Sequence, residues 1–153
     1  MGKTKVELND KTILVTGSPG FIGANLVIRL LKEMTRGTVI SLDNMNDYYD
    51  PTLKEYRLGL IEDAAMTSPV KHVFIKGSIA DKALIDKVFT EYKPAVVVNL
   101  AAQAGVRYSI DHPDVYIESN LIGKEVQHQG VIGTPLRPGY CPVRRGPSGR
   151  RRR

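Results

Sequence analysis

From Lys11 to Ile122 the chain alternates short apolar runs with longer stretches in which apolar residues recur every three or four positions. That is the pattern of βαβ units feeding a parallel sheet. Thr12 to Thr16 (TILVT), Thr38 to Asp43 (TVISLD), Val70 to Lys76 (VKHVFIK) and Ala95 to Ala101 (AVVVNLA) read as strands. The last is apolar almost throughout, as expected of a parallel strand covered on both faces, and should lie beside the first. Phe21 to Met34 predicts a helix with Ile22, Leu26, Leu30 and Met34 on one face. Pro51 to Ala65 predicts a second, and Asp81 to Tyr92 a third whose Leu84, Ile85, Val88, Phe89 and Tyr92 form one stripe. A further helix is expected from about Pro113, with Asp111 as its cap and Asp114 in the first turn, where a negative charge suits the helix dipole. The polar stretch DNMNDYYDP between the second strand and second helix can only be loop. The fold class is therefore α/β, a doubly wound parallel sheet with strand order 3-2-1-4.

Composition changes this picture only at the C-terminal end. Lys plus Arg against Asp plus Glu is 14 against 15 for residues 1–123, and 8 against 1 for residues 124–153, which together give the net charge of +6. The body is near neutral and the tail carries the excess. The tail also holds five Gly and four Pro, has no period of two or 3.6, and closes on four arginines, Arg150 to Arg153. Such a segment buries too little apolar surface to offset the entropy of ordering it, so it is expected to be disordered. Two units follow: an α/β domain over residues 1–123 and a Gly/Pro/Arg-rich tail over 124–153. A shifted reading frame in a G+C-rich gene is one hypothesis for the tail's origin, which an intact in-frame DNA sequence across codon 123 would sink. The arginine cluster offers electrostatic attraction to nucleic acid but lacks interleaved aromatics, so specific recognition is not expected. The single Cys141 excludes an internal disulfide framework. No signal-peptide pattern and no run of about 18 apolar residues is present, so no membrane association is expected and the location is read as cytoplasmic.

Candidate chemistry sits between the first strand and first helix, at Thr16-Gly17-Ser18-Pro19-Gly20-Phe21-Ile22-Gly23. Glycines there allow a tight turn, bring backbone N–H groups near a pyrophosphate, and let the helix pack closely on the strand. The positive end of the helix dipole then faces the phosphates. The spacing is G-x-x-G-x-x-G rather than the generic G-x-G-x-x-G, so the trio alone is weak; a ligand-free strand-to-helix turn is the bland alternative. Asp43, 20 residues after Gly23 at the end of the second strand, stands where a ribose-binding acid belongs. A carboxylate there accepts from two ribose hydroxyls but repels a 2′-phosphate, which favours NAD over NADP. The alternative for Asp43 is a strand-end Asx turn.

The segments TGSPGFIG, LDNMNDYYD and NLAAQAGVRYSIDHPDVYIESN together resemble the extended short-chain dehydrogenase/reductase family, within its NAD-dependent epimerase/dehydratase group, and the second and third resemble UDP-glucuronate 4-epimerases. The likeness covers about residues 11–123. It implies a Rossmann domain in which Gly17, Gly20, Phe21, Ile22 and Gly23 hold the pyrophosphate of NAD, and Asp43 with Asn44 the adenosine ribose. It implies further that Ser78 and Ile79 face the adenine, that Ala101, Ala102 and Gln103 line the cofactor from the fourth strand, and that Asn120 lies on the helix behind. Related enzymes carry an acid where this chain has Ser78, so adenine recognition should be weaker by up to about 1 kcal/mol.

The family reaction passes through a 4-keto intermediate of a UDP-sugar, with a Tyr-x-x-x-Lys pair as the base, a further substrate domain, and a homodimeric assembly. None of Tyr48, Tyr49, Tyr56, Tyr92, Tyr108, Tyr116 or Tyr140 has a lysine four residues on. The chain is therefore expected to lack turnover and productive UDP-sugar binding, with no catalytic residue assigned. Other side chains carry bland readings beside functional ones. Arg107 and Ser109 suit either a ligand at the strand edge or a solvated loop. His72 reads as structural, His112 as a helix-start residue, Tyr48 and Tyr49 as loop cover, and Cys141 as an inert exposed thiol.

Overall fold

The computed structural model describes residues 7–47 and 50–102, together with Asp114, Ile117, Asn120 and Gly123. Four strands and three helices alternate along it: β1 (Lys11–Thr16), α1 (Phe21–Glu33), β2 (Gly37–Asp43), α2 (Pro51–Met66), β3 (Lys71–Lys76), α3 (Lys82–Tyr92) and β4 (Val96–Asn99). The strands form one parallel sheet in the order β3-β2-β1-β4, as the apolar pattern predicts. Leu14 stands opposite Ile40 on one side and Val97 on the other, so the most apolar residues of each strand share one layer.

Strand alternation splits the core in two. Ile13, Val15 and Val39 point to one face, where they pack with Val27, Leu30 and Leu31 of α1 and Ile61 of α2. Leu14, Ile40 and Leu42 point to the other, against Ile85, Val88 and Phe89 of α3. A parallel sheet must be covered on both faces, and α1 with α2 on one side and α3 on the other meet that need.

Three local features depart from expectation. On α1 the buried residues are Gly23, Ala24, Val27, Leu30 and Leu31, followed by Met34 just past the helix, while Ile22 is 66% exposed. A strict four-residue line advances beyond the 3.6-residue turn at every step, so the predicted line starts off the sheet face at Ile22 and drifts onto it at Leu30 and Met34, whereas Gly23, Val27 and Leu31 lie on that face throughout. On α2 only Ile61 is buried; the helix rests on α1 at the border of the sheet. Its start is set instead by Pro51 in the first turn and by Asp50, whose carboxylate accepts from the Thr52 amide at 2.9 Å and the Thr52 hydroxyl at 2.7 Å. Those two bonds hold the Asp50 carboxyl below its ordinary pKa. On β4, finally, Val96, Val97 and Val98 are only half-buried and Asn99 is exposed. The helix predicted from Pro113 falls mostly outside the described residues; Asp114, Ile117, Asn120 and Gly123 are helical.

Candidate cofactor site

The C-terminal ends of β1, β2 and β4 meet at one point, which is where open α/β sheets receive ligands. At the end of β1, Gly17 turns with φ 69°, and its amide donates to the Leu42 carbonyl at 2.8 Å, tying the turn to β2. A Cβ at Gly17 would lie 2.7 Å from the Ala101 nitrogen and the Leu100 carbonyl carbon. Only glycine permits both the left-handed turn and this approach of β1 to the segment after β4. Gly23 serves a different end: a Cβ there would fall 2.2 Å from the Gly17 carbonyl oxygen, so its lack of a side chain lets α1 start directly on the turn. Between them Gly20 caps α1 with no side-chain hydrogen bond, which leaves first-turn amides of the helix facing outward as donors.

Two side-chain ties fix the walls. Thr16 donates its hydroxyl to Asn99 Oδ1 at 2.6 Å and accepts from the Ala101 amide at 3.3 Å, locking the chain after β4 onto β1. At the end of β2, Asp43 is buried, and its Oδ1 accepts from the Met45 amide at 2.7 Å. Met45 itself has φ 53°. The Asx turn weighed as the alternative for Asp43 is thus present, and it aims the carboxylate across the end of the sheet. Asp43 Oδ1 also meets Lys54 Nζ at 3.2 Å, and Lys54 donates to Asn46 Oδ1 at 2.8 Å. The Asp43 carbonyl takes the Gly77 amide at 2.9 Å, which brings the chain after β3 alongside.

These contacts enclose a cavity of about 140 Å³. Sites that engulf a whole small ligand run to about 300–1,000 Å³, so this one walls in only part of a dinucleotide. Of the residues singled out from sequence, Gly17, Gly20, Asp43, Asn44, Ser78, Ile79, Ala101 and Ala102 line it. Gly23 lies beneath the turn, and Phe21 and Ile22 stand 74% and 66% exposed at the start of α1. Gln103, Arg107, Ser109, His112, Tyr48, Tyr49 and Cys141 lie outside the described residues, as does residues 124–153 of the tail. Ser78 Oγ accepts from the Ala80 amide at 3.1 Å, forming a small turn over the cavity.

Lys54, Asn46, Leu42, Gly77 and Leu100 also line the cavity and were not anticipated. Lys54 had a sequence signal. It lies one turn into α2, where a cation is disfavoured by the helix dipole, and the Asp43 carboxylate offsets that. His72 sits apart from the site. Its Nε2 pairs with Ser41 Oγ at 2.9 Å within the sheet; burial pushes its pKa down, partly opposed by Glu62.

The family profile described as GDP-mannose 4,6 dehydratase matches residues 14–126, from within β1 to beyond β4. The chain belongs to the NAD-dependent epimerase/dehydratase family. It is 47% identical over 111 residues to Protein CapI of Staphylococcus aureus, covering 72% of this chain and 31% of that protein. It is 44% identical over 115 residues to UDP-glucuronate 4-epimerase 4 of Arabidopsis thaliana, covering 75% of this chain and 24% of the relative. Members of this epimerase/dehydratase family thus extend well beyond the matched region, and the chain spans about a quarter to a third of their length. In structure it resembles the UDP-glucose 4-epimerase of Bifidobacterium longum solved with NAD+ and UDP, at 30% identity and a TM-score of 0.60, covering 80% of this chain and 34% of that one. Among the described residues no helix is long and apolar enough to cross a membrane.

Proposed function

We propose that this chain is the NAD-binding portion of a nucleotide-sugar epimerase of the UDP-glucuronate 4-epimerase kind, and that these 153 residues bind the cofactor without turning over a sugar. The observation that carries the reading is the convergence of the glycine turn and the Asp43 carboxylate on one cavity at the strand ends. The donor set fits the group. Uncapped amides at the start of α1 suit a pyrophosphate, Asp43 suits a ribose diol, and the missing side chain at Gly17 lets the segment after β4 close against the turn as a wall of the cavity.

When bound, NAD supplies a hydride acceptor for the sugar's C4 position. The chain's own residues bind and orient. Thr16 and Asn99 hold the Ala101–Ala102 wall against β1, so that small side chains line the cavity there. Asp43, fixed by the Met45 amide, accepts from the ribose hydroxyls. Moving the proton of a sugar hydroxyl requires a base within hydrogen-bond reach. No tyrosine of this sequence carries a lysine four residues later, so the pair that performs this step in the family is not among these residues. The cofactor is NAD, the UDP-sugar is bound by parts of the family fold beyond this region, and the acting compartment is the cytoplasm.

The test is calorimetric titration of NAD into the full chain, Met1–Arg153, beside Asp43→Ala. Saturable binding that weakens about ten- to a hundredfold in the variant is expected, the loss of a charged hydrogen-bond acceptor. A folded wild-type sample that shows no saturable binding would sink the reading.

A further inference from the structure

The acid at the ribose end of the cavity does not stand alone. Lys54 Nζ lies 3.2 Å from Asp43 Oδ1, with side chains only 12% and 9% exposed, and its second partner is Asn46 Oδ1 at 2.8 Å. Asp43, Lys54, Asn44 and Asn46 all wall the same cavity. A lone carboxylate in this place repels a phosphate on the ribose 2′ position, because two negative groups meet where solvent screens them little. With Lys54 beside it, the end of the cavity carries no net charge. We infer that Lys54 is a specificity-determining residue: it relaxes the site's rejection of a 2′-phosphate, so that the cavity accepts a dinucleotide with or without that group. This rests on the cofactor reading above.

Two features separate this role from simple support of Asp43. The carboxylate is already held by the Met45 amide at 2.7 Å, within a turn that β2 and the Gly77 amide anchor, so its position does not hang on the lysine. An ammonium also carries three donors. Two reach Asp43 and Asn46, which leaves a third to serve a phosphate oxygen.

The experiment is calorimetric titration of NAD and of NADP into the full chain and into Lys54→Met, Lys54→Gln and Lys54→Arg, with folding checked by circular dichroism. The wild type is expected to bind NADP within about a hundredfold of NAD. Either neutral variant should weaken NADP by about tenfold more than it weakens NAD, and Lys54→Arg should keep the wild-type ratio. A ratio of NADP to NAD affinity unmoved by a folded neutral variant overturns the inference. So does a wild type that holds NAD yet rejects NADP by more than about a thousandfold, and that ratio decides the matter alone if both neutral variants fail to fold. Binding of neither dinucleotide by the folded wild type overturns the cofactor reading itself.

Discussion

Two strands of similar composition have different fates in this sheet. Ile13, Leu14 and Val15 of β1 are at most 1% exposed, whereas Val96, Val97 and Val98 of β4, their direct neighbours, are half-buried. The side chains are equally apolar, so hydrophobicity does not distinguish them. Position does: β1 has a strand on each side and helices over both faces, and β4 has β1 on one side only among the described residues. An apolar run therefore reports that a strand belongs to a parallel sheet, and its neighbours set how far it is buried.

The comparison is broken most severely at the turn that joins the two strands to the site. Gly23→Val places atoms where the Gly17 carbonyl already sits, 2.2 Å from an ideal Cβ, and should cost about 3 kcal/mol and abolish NAD binding. Urea unfolding checks the first and calorimetry the second; a variant as stable as the wild type would show that α1 can start elsewhere. A pair of truncations sharpens the comparison directly. Leu14→Ala should destabilise by about 3 kcal/mol and Val97→Ala by about 1 kcal/mol, since Leu14 is wholly buried and Val97, its partner across the ladder, is not. Equal losses in denaturant midpoints would mean that β4 is covered as thoroughly as β1.

The smallest effect lies at the opposite edge. His72 on β3 has its pKa lowered from 6.5 by burial. The unfolded chain therefore binds a proton more readily than the folded one, and stability declines as pH falls below about 6.5 until the folded pKa is passed. His72→Gln should flatten that decline in a series of melting curves between pH 7.5 and pH 5. An unchanged slope would assign it to other groups.

Most of the sheet was legible in the sequence because each buried strand is short, apolar and bounded by a turn, and each crossover is long enough for a helix. Strand order followed from the same pattern. Phase on α1 was legible only in part: Leu30 and Met34 of the predicted line are buried, but Ile22 at its start is exposed. What tips the balance is Gly23, whose missing side chain is needed against Gly17 and which therefore must face the strand. At the site, Gly17 and Gly23 could be found because the close backbone approaches there admit no side chain, and Asp43 because it is the acid that closes β2. Lys54 and Asn46 could not be placed by spacing, because Lys54 reaches Asp43 from another helix and Asn46 meets Lys54 from a loop. The exposure of β4 depended on neighbours, which no local pattern encodes.

The sheet order also decides how far apart in the chain the two walls of the cavity are made. Lys11 pairs with Gly37 and Ile13 with Val96, so β1 meets β2 across 26 residues (37 − 11) and β4 across 83 (96 − 13). Closing the longer loop costs about 1 kcal/mol more in chain entropy. The Asp43 wall is thus assembled from near neighbours along the chain, and the Ala101–Ala102 wall by closure across most of the domain, with the Thr16–Asn99 hydrogen bond as its clasp.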